Sequence, residues 1–189
     1  MATLAVTEFV SLDGVMEDPG GAEQYEHGGW TFEIDRGEGD AFKLEETLET
    51  DALLLGRVTY EGFAEAWPSR TDDFADKFNN MPKYVVSSTL ENPDWTNSKV
   101  LRGDIVESVS KLKDEVDGRI VVHGSARLAQ TLLEHDLVDE LRLTVFPVAL
   151  GAGERLFGET SDKRPLRLIH TKTVGNGLTH LTYERAREA

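Results

Sequence analysis

Apolar residues along this chain follow two alternating rhythms. Short runs apolar at every position, such as Ile120-Val121-Val122, read as strands buried on both faces. Between them lie stretches with apolar residues every three or four positions, the spacing of a helix with one buried face. Strands are predicted at Leu4–Val10, Ala52–Leu55, Lys83–Ser88, Lys99–Leu101, around Ile120–Val122 and at Leu141–Val148. The spacing predicts helices over Asp40–Leu48, from Val58 through Phe63, over Asp72–Asn80 and over Ile105–Val116. A further helix follows Ser125, with Leu128, Leu132 and Leu133 on one face and Leu137 beyond. In the Asp40 helix, Phe42, Leu44 and Leu48 are expected to face inward and the acidic residues outward. Asp18–Gly29 has no apolar periodicity and reads as a long loop. Trp30, Phe32 and Ile34 alternate after it and anchor a flap or short strand. Near the end, Leu166–Thr173 and Gly177–Tyr183 alternate with period two around Val174-Gly175-Asn176-Gly177, where the Asn-Gly pair marks a hairpin. The pattern is βα repeated, then an antiparallel finish, so residues 1–189 are read as a single α/β domain with a mixed, mostly parallel sheet.

Composition narrows the function. The chain has 189 residues, 39% of them hydrophobic, enough for one well-buried domain. It has no cysteine, which excludes disulfides and thiolate metal sites. The five histidines are scattered without ligand spacing, so no metal site is expected. A formal net charge of −15 argues against nucleic acid or anionic membrane as a partner. The absence of a long apolar run or a basic leader makes the cytoplasm the expected compartment. An anionic ligand must then be drawn in by local dipoles and a few arginines.

Three of the predicted strands end in small or hydroxyl residues, and these ends carry the candidate chemistry. Leu55 runs into Gly56-Arg57-Val58-Thr59, Val86 into Ser87-Ser88-Thr89, and Val122 into His123-Gly124-Ser125. If the three strands are parallel neighbours, all three tips share the carboxyl edge of the sheet, where α/β proteins bind nucleotides. Two of them feed helix N-termini, whose free N–H groups and dipoles favour a phosphate. Ser125 is expected to cap its helix. Arg57 adds a fixed positive charge, and the serines after Val86 suit a ribose or its phosphate. Neither glycine turn is a full G-x-G-x-x-G or a Walker loop.

The segment Leu53 to Glu61, LLLGRVTYE, resembles the strand–G-R-x-T segment of dihydrofolate reductases. Leu12-Asp13-Gly14-Val15 resembles the S-x-D-G turn of the pyrimidine reductase domain of riboflavin biosynthesis. His135 to Leu141 and Pro147 to Gly151 are similar to that same domain, and the order of motifs covers nearly the whole chain. The resemblance implies a dihydrofolate-reductase-like three-layer fold, NADPH as cofactor and a homodimer. It assigns Gly56, Arg57, Val58 and Thr59 to one side of the cofactor pyrophosphate, and Gly124, Ser125, Ala126, Arg127 and Leu128 to the other. Ser87 and Ser88 would meet the adenosine ribose and its 2′-phosphate, with Arg102 beside them, and Gly14 and Val15 would border the nicotinamide. The chain departs from the pyrimidine reductases at His123-Gly124-Ser125, where they carry Glu-Gly-Gly, and at Tyr60-Glu61-Gly62-Phe63, where they carry an Asp. Both departures lie on the expected substrate side.

Hydride transfer needs a dry slot for the nicotinamide and a proton source. Asp40 falls where dihydrofolate reductases place the helix carboxylate that binds the pterin; alternatively it is a helix N-cap. Asp13 is the second candidate acid; alternatively it is a turn-stabilising Asx residue. His123, Phe63 and Trp30 are the candidate substrate contacts. His123 has a structural alternative, as the hydrogen-bonded end of a buried strand, and Trp30 another, as a loop anchor. The expected function is an NADPH-dependent reductase of a small heterocyclic or conjugated substrate. The alternatives are a non-catalytic nucleotide binder and a true riboflavin-pathway reductase of 5-amino-6-ribosylaminouracil phosphate.

Overall fold

The computed structural model describes residues 1–158 and 163–186. Its strands are β1 (Thr3–Ser11), β2 (Ala52–Gly56), β3 (Lys83–Val86), β4 (Ser98–Leu101), β5 (Arg119–His123), β6 (Glu140–Phe146), β7 (Leu166–Val174) and β8 (Leu178–Arg185). The α-helices are α1 (Gly39–Leu48), α2 (Arg57–Ala66), α3 (Asp73–Asn80), α4 (Ile105–Glu115) and α5 (Ala126–Glu134). The strands form one sheet in the order β4-β3-β2-β5-β1-β6-β8-β7. Every pair from β4 to β6 is parallel, and β8 and β7 close the sheet antiparallel.

Strand periodicity divides the core between two faces. Leu4, Val6, Leu54, Ile120 and Val122 pack under α4 and α5, against Val109, Leu112, Leu128 and Leu132. Leu53, Leu55 and Val85 face the other way, onto Tyr60 of α2 and Phe78 of α3. Burying each such aliphatic side chain is worth roughly 1.5–3 kcal/mol, so the central strands, apolar on both faces, hold the layers together. A third cluster, Trp30, Phe146, Val174 and Leu178, locks the hairpin to the loop before α1.

Two local expectations are corrected. Trp30–Phe32 is a single 3-10 turn, not a flap or strand, because the Trp30 indole is drawn into the core beside Phe146. The inward face of α1 is also different. Leu48 is exposed, while Glu46 and Thr47 are buried, because polar partners on β1 and β6 receive Glu46.

Candidate functional site

The ends of β3, β2 and β5 do lie side by side at one edge, since β2 pairs in parallel with both of the others. There the two glycine turns interlock. Ser125 Oγ accepts the Gly56 N–H at 2.9 Å and donates to Thr59 Oγ1 at 2.8 Å. A Cβ at Gly56 would sit 2.8 Å from Ser125 Oγ, and one at Gly124 3.0 Å from Thr59 Oγ1, so both positions need glycine for the turns to touch. Gly124 and Ser125 are both left-handed, with φ 59° and 62°. This conformation corrects the expected cap: Ser125 occupies the N-cap position, but its hydroxyl points across to β2 and α2, not down its own helix. Gly56 caps α2 without a side chain. By contrast, Asp72 and Asp104 cap α3 and α4 with their carboxylates. The first-turn N–H groups of α2 (Arg57, Val58, Thr59) and α5 (Ala126, Arg127, Leu128) therefore lack a side-chain cap, at two adjacent helix N-termini. That donor set fits a pyrophosphate.

Around it, Val58 and Arg127 are exposed, and Ala126 and Leu128 offer only backbone because their side chains are buried. Arg57 is half exposed and pairs with Glu61 at 3.1 Å. Ser87 Oγ accepts the N–H of Leu90, while Arg102 donates to the carbonyls of Ser88 and Leu90, so these groups brace the loop between β3 and β4. Gly14 is left-handed at the tip of its turn with open space around it, and the Val15 side chain is buried.

The candidate acids are not where general acids belong. Asp40 lies inside the first turn of α1, where Glu38 takes the N-cap position. Its side chain is 74% exposed and pairs with Arg36 at 3.2 Å. Asp13 accepts from Ser11 Oγ, Leu150 N and Gly151 N, and these bonds, the Ser11 hydroxyl foremost, hold it down at about 2. It is the turn-stabilising residue of the Asx reading. Trp30 is 2% exposed and donates to the Glu17 carbonyl at 2.9 Å, which makes it a core anchor and not a substrate roof. Phe63 is part of the aromatic cluster with Trp67 and Phe78. His123 stands edge-on to Phe63 and Phe78; burial, with Lys43 adding, pushes it down to about 3, so its imidazole is neutral.

Sequence reasoning missed two features. On the α1 face, Lys43 donates to Thr7 Oγ1 at 2.9 Å and binds Glu46, which also accepts from Thr7 and from Arg142 at 3.3 Å. Burial alone would raise Glu46, but Lys43 and then Arg142 outweigh it and hold the carboxylate at about 2. Beside this cluster Thr144 bonds His180 Nδ1 at 2.8 Å, and the ring stacks on Phe42. On the opposite face, Glu8 reaches the Gly124 turn. Its signal was available: Leu4, Val6, Glu8 and Val10 share one face of β1, and Glu8 is the charged residue among apolar ones.

A mostly parallel sheet with an antiparallel C-terminal pair, flanked by helices and carrying two glycine turns at its carboxyl edge, defines a dihydrofolate-reductase-like α/β protein. Residues 2–180 match the model of the RibD C-terminal domain, and the chain belongs to that family. It is 30% identical over 140 residues to YyaP of Bacillus subtilis, covering 71% of this chain and 74% of that protein. It is 29% identical over 177 residues to YwjB of the same organism, covering 94% of each. Among solved structures, a putative riboflavin biosynthesis protein from Shewanella sp. PV-4 superposes with TM-score 0.77 at 24% identity, over 98% of this chain and 99% of the other. A dihydrofolate reductase from Enterococcus faecalis, complexed with NADP(H), superposes with TM-score 0.59 at 20% identity, over 98% and 97%. Family and fold together support a reductase-type function.

Proposed function

We propose that this protein is an NADPH-dependent reductase of a small heterocyclic or conjugated substrate. The observation that carries the reading is the pair of helix N-termini without side-chain caps, brought together by the Gly56–Ser125–Thr59 interlock. Arg57, Val58, Thr59, Ala126, Arg127 and Leu128 would hold the pyrophosphate through backbone N–H groups, with the Arg57 guanidinium at the rim. Bound NADPH supplies hydride; the chain supplies position, dryness and charge. Lys43 and neutral His123 lie on the α1 face of the β1–β5 junction, where Thr7 and His123 are register partners. There Lys43 offers a donor to a polarised carbonyl or imine of the substrate. Stopped-flow or steady-state loss of NADPH absorbance across pterins, pyrimidines and quinones tests this reading; no consumption with any of them overturns it.

One observation favours the non-catalytic alternative: Asp40 is exposed and Asp13 is held ionised, so neither is suited to donate a proton. NADPH binding without turnover across the panel would establish that reading. A homodimer in the cytoplasm is the proposed form. Its support is β7, an edge strand with Leu166, Leu168 and Ile169 partly exposed, which a second copy would cover. Sedimentation at micromolar concentration that finds only a 21.0 kDa species rejects the dimer. Among the described residues no helix is long and apolar enough to cross a membrane.

A further inference from the structure

β1 and β5 run in register from Thr3↔Arg119 to Thr7↔His123, and then they part. β5 turns away at Gly124 into α5, while β1 continues against β6. Glu8 is the first residue of β1 beyond that fork. Its side chain, not the main chain, takes the Gly124 N–H, with Oε2 accepting at 3.1 Å. The other oxygen, Oε1, is buried and has no hydrogen-bond partner. Glu8 is only 5% exposed, and among the described residues no cation pairs with it. A carboxylate so placed is kept neutral, because burying an unpaired charge costs far more than binding a proton. With Oε2 accepting from Gly124, the proton resides on Oε1, which is then a buried donor lacking an acceptor. A buried donor without an acceptor loses the hydrogen bond it had in water and gains none in return. The Glu8 partner Gly124 directly precedes Ser125, whose hydroxyl ties β5, β2 and α2 together.

We propose that Glu8 is a ligand-binding residue, its Oε1–H donating to an oxygen of the dinucleotide held between the N-termini of α2 and α5. This rests on the dinucleotide reading above and adds to it a neutral carboxylic acid as a recognition element. Two consequences follow from the chemistry. An acid that donates to an anionic ligand binds it only while protonated. Burial pushes Glu8 up to about 8, with the Gly124 N–H and Lys43 opposing, so the donor is present at neutral pH and lost just above it. The charged groups that influence Glu8 from the other, α1 side of the sheet are an ion pair, Lys43 with Glu46, beside the neutral imidazole of His123 of β5. β6 sets Leu143 opposite Glu8 in register, and α5 opens with Ala126.

The test is NADPH affinity, by cofactor fluorescence or calorimetry, from pH 6.5 to 9.5 for the wild type and Glu8→Gln. The glutamine amide keeps an acceptor for Gly124 and a donor for the ligand, and it cannot ionise. Wild-type affinity is expected to fall by up to about tenfold per pH unit above pH 8. E8Q should bind within about threefold of wild type at pH 7 and keep that affinity to pH 9.5. Binding by wild type that does not change with pH, or an E8Q profile that falls in parallel with it, overturns the role of Glu8 and leaves the dinucleotide reading standing. Absence of NADPH binding to wild type at every pH overturns both.

Discussion

Two turns near the carboxyl ends of the central strands each carry a carboxyl group from the first strand or its extension, and they are opposites. At Ser11–Val15 the Asp13 carboxylate takes the Ser11 hydroxyl and the N–H groups of Leu150 and Gly151, and Arg155 lies 3.7 Å away. Both oxygens of the carboxylate have hydrogen-bond donors, and the group is held at about 2. At Gly124–Ser125, Glu8 takes one N–H and keeps an unpartnered oxygen, and two helix N-termini beside it have no side-chain caps. The first turn is a closed structural unit and the second has hydrogen-bonding capacity left over. A ligand site is recognised by that surplus, not by the presence of a carboxyl group, Gly and Ser, which both turns share.

The sharpest way to break the comparison is to alter the glycine of each turn. Gly124 is left-handed and its Cβ position lies 3.0 Å from Thr59 Oγ1, so Gly124→Val must push the two turns apart. Overpacking of this kind costs about 1–3 kcal/mol, and NADPH affinity should fall by up to roughly 10²-fold. Gly14 is also left-handed, at φ 82°, but nothing lies within 4 Å of its Cβ position. Gly14→Ala should cost about 1–2 kcal/mol of stability through backbone strain and leave NADPH affinity unchanged. Fluorescence titration of both variants, alongside thermal melts, decides the matter. Equal losses of affinity would erase the distinction between the turns.

A smaller effect is expected at Arg57. Its guanidinium is half exposed and shared with Glu61, so it acts on the pyrophosphate from the rim. Arg57→Ala should weaken NADPH by about 1 kcal/mol, roughly fivefold, and the difference should shrink with added salt. Binding that is unchanged at low ionic strength would remove Arg57 from the site. Asp13→Asn separates the turns by pH. Because Asp13 is depressed to about 2 from an ordinary 3.8, its stabilising contribution is full above about pH 4 and lost as pH falls through about 2. The variant should therefore lower Tm at neutral pH and lie closest to wild type in strong acid, with NADPH affinity within about twofold. A Tm difference that grows on acidification would contradict the role of Asp13.

Much of the fold was legible because continuous apolar runs such as Ile120–Val122 separate cleanly from stretches of period 3.6 such as Ile105–Val116. The adjacency of the Gly56 and Gly124 turns was legible too, once parallel pairing was assumed. What was not legible depends on partners distant in sequence. Ser125 reads as a cap because it precedes a helix, yet a left-handed backbone sends its hydroxyl to Gly56, 69 positions away. Glu46 reads as an outward acid on α1, yet Thr7 of β1 and Arg142 of β6, with Lys43 of its own helix, pull it inward. Glu8 was visible as a charge on an apolar face, but its orphaned oxygen appears only in three dimensions. Charge satisfaction is a tertiary property, and local pattern does not encode it.

The smallest effect is expected where the sequence pointed most directly. The resemblance would put Asp40 at the position of the pterin-binding carboxylate of dihydrofolate reductases, and a buried acid there would lower turnover by about 10²–10⁴-fold on removal. Its side chain is instead 74% exposed, paired with Arg36 four residues earlier, and outside the N-cap position. An exposed pair of this kind is worth about 0–1 kcal/mol. Asp40→Asn should therefore change hydride-transfer rate and NADPH affinity by less than about twofold, and Tm by no more than a degree or two. The glutamate variant keeps the charge and should be indistinguishable from wild type. Should D40N lose turnover by 10²-fold or more while D40E retains it, the carboxylate must turn inward when cofactor and substrate bind. The proton route would then run through α1, and the surplus at the Gly124 turn would serve binding alone.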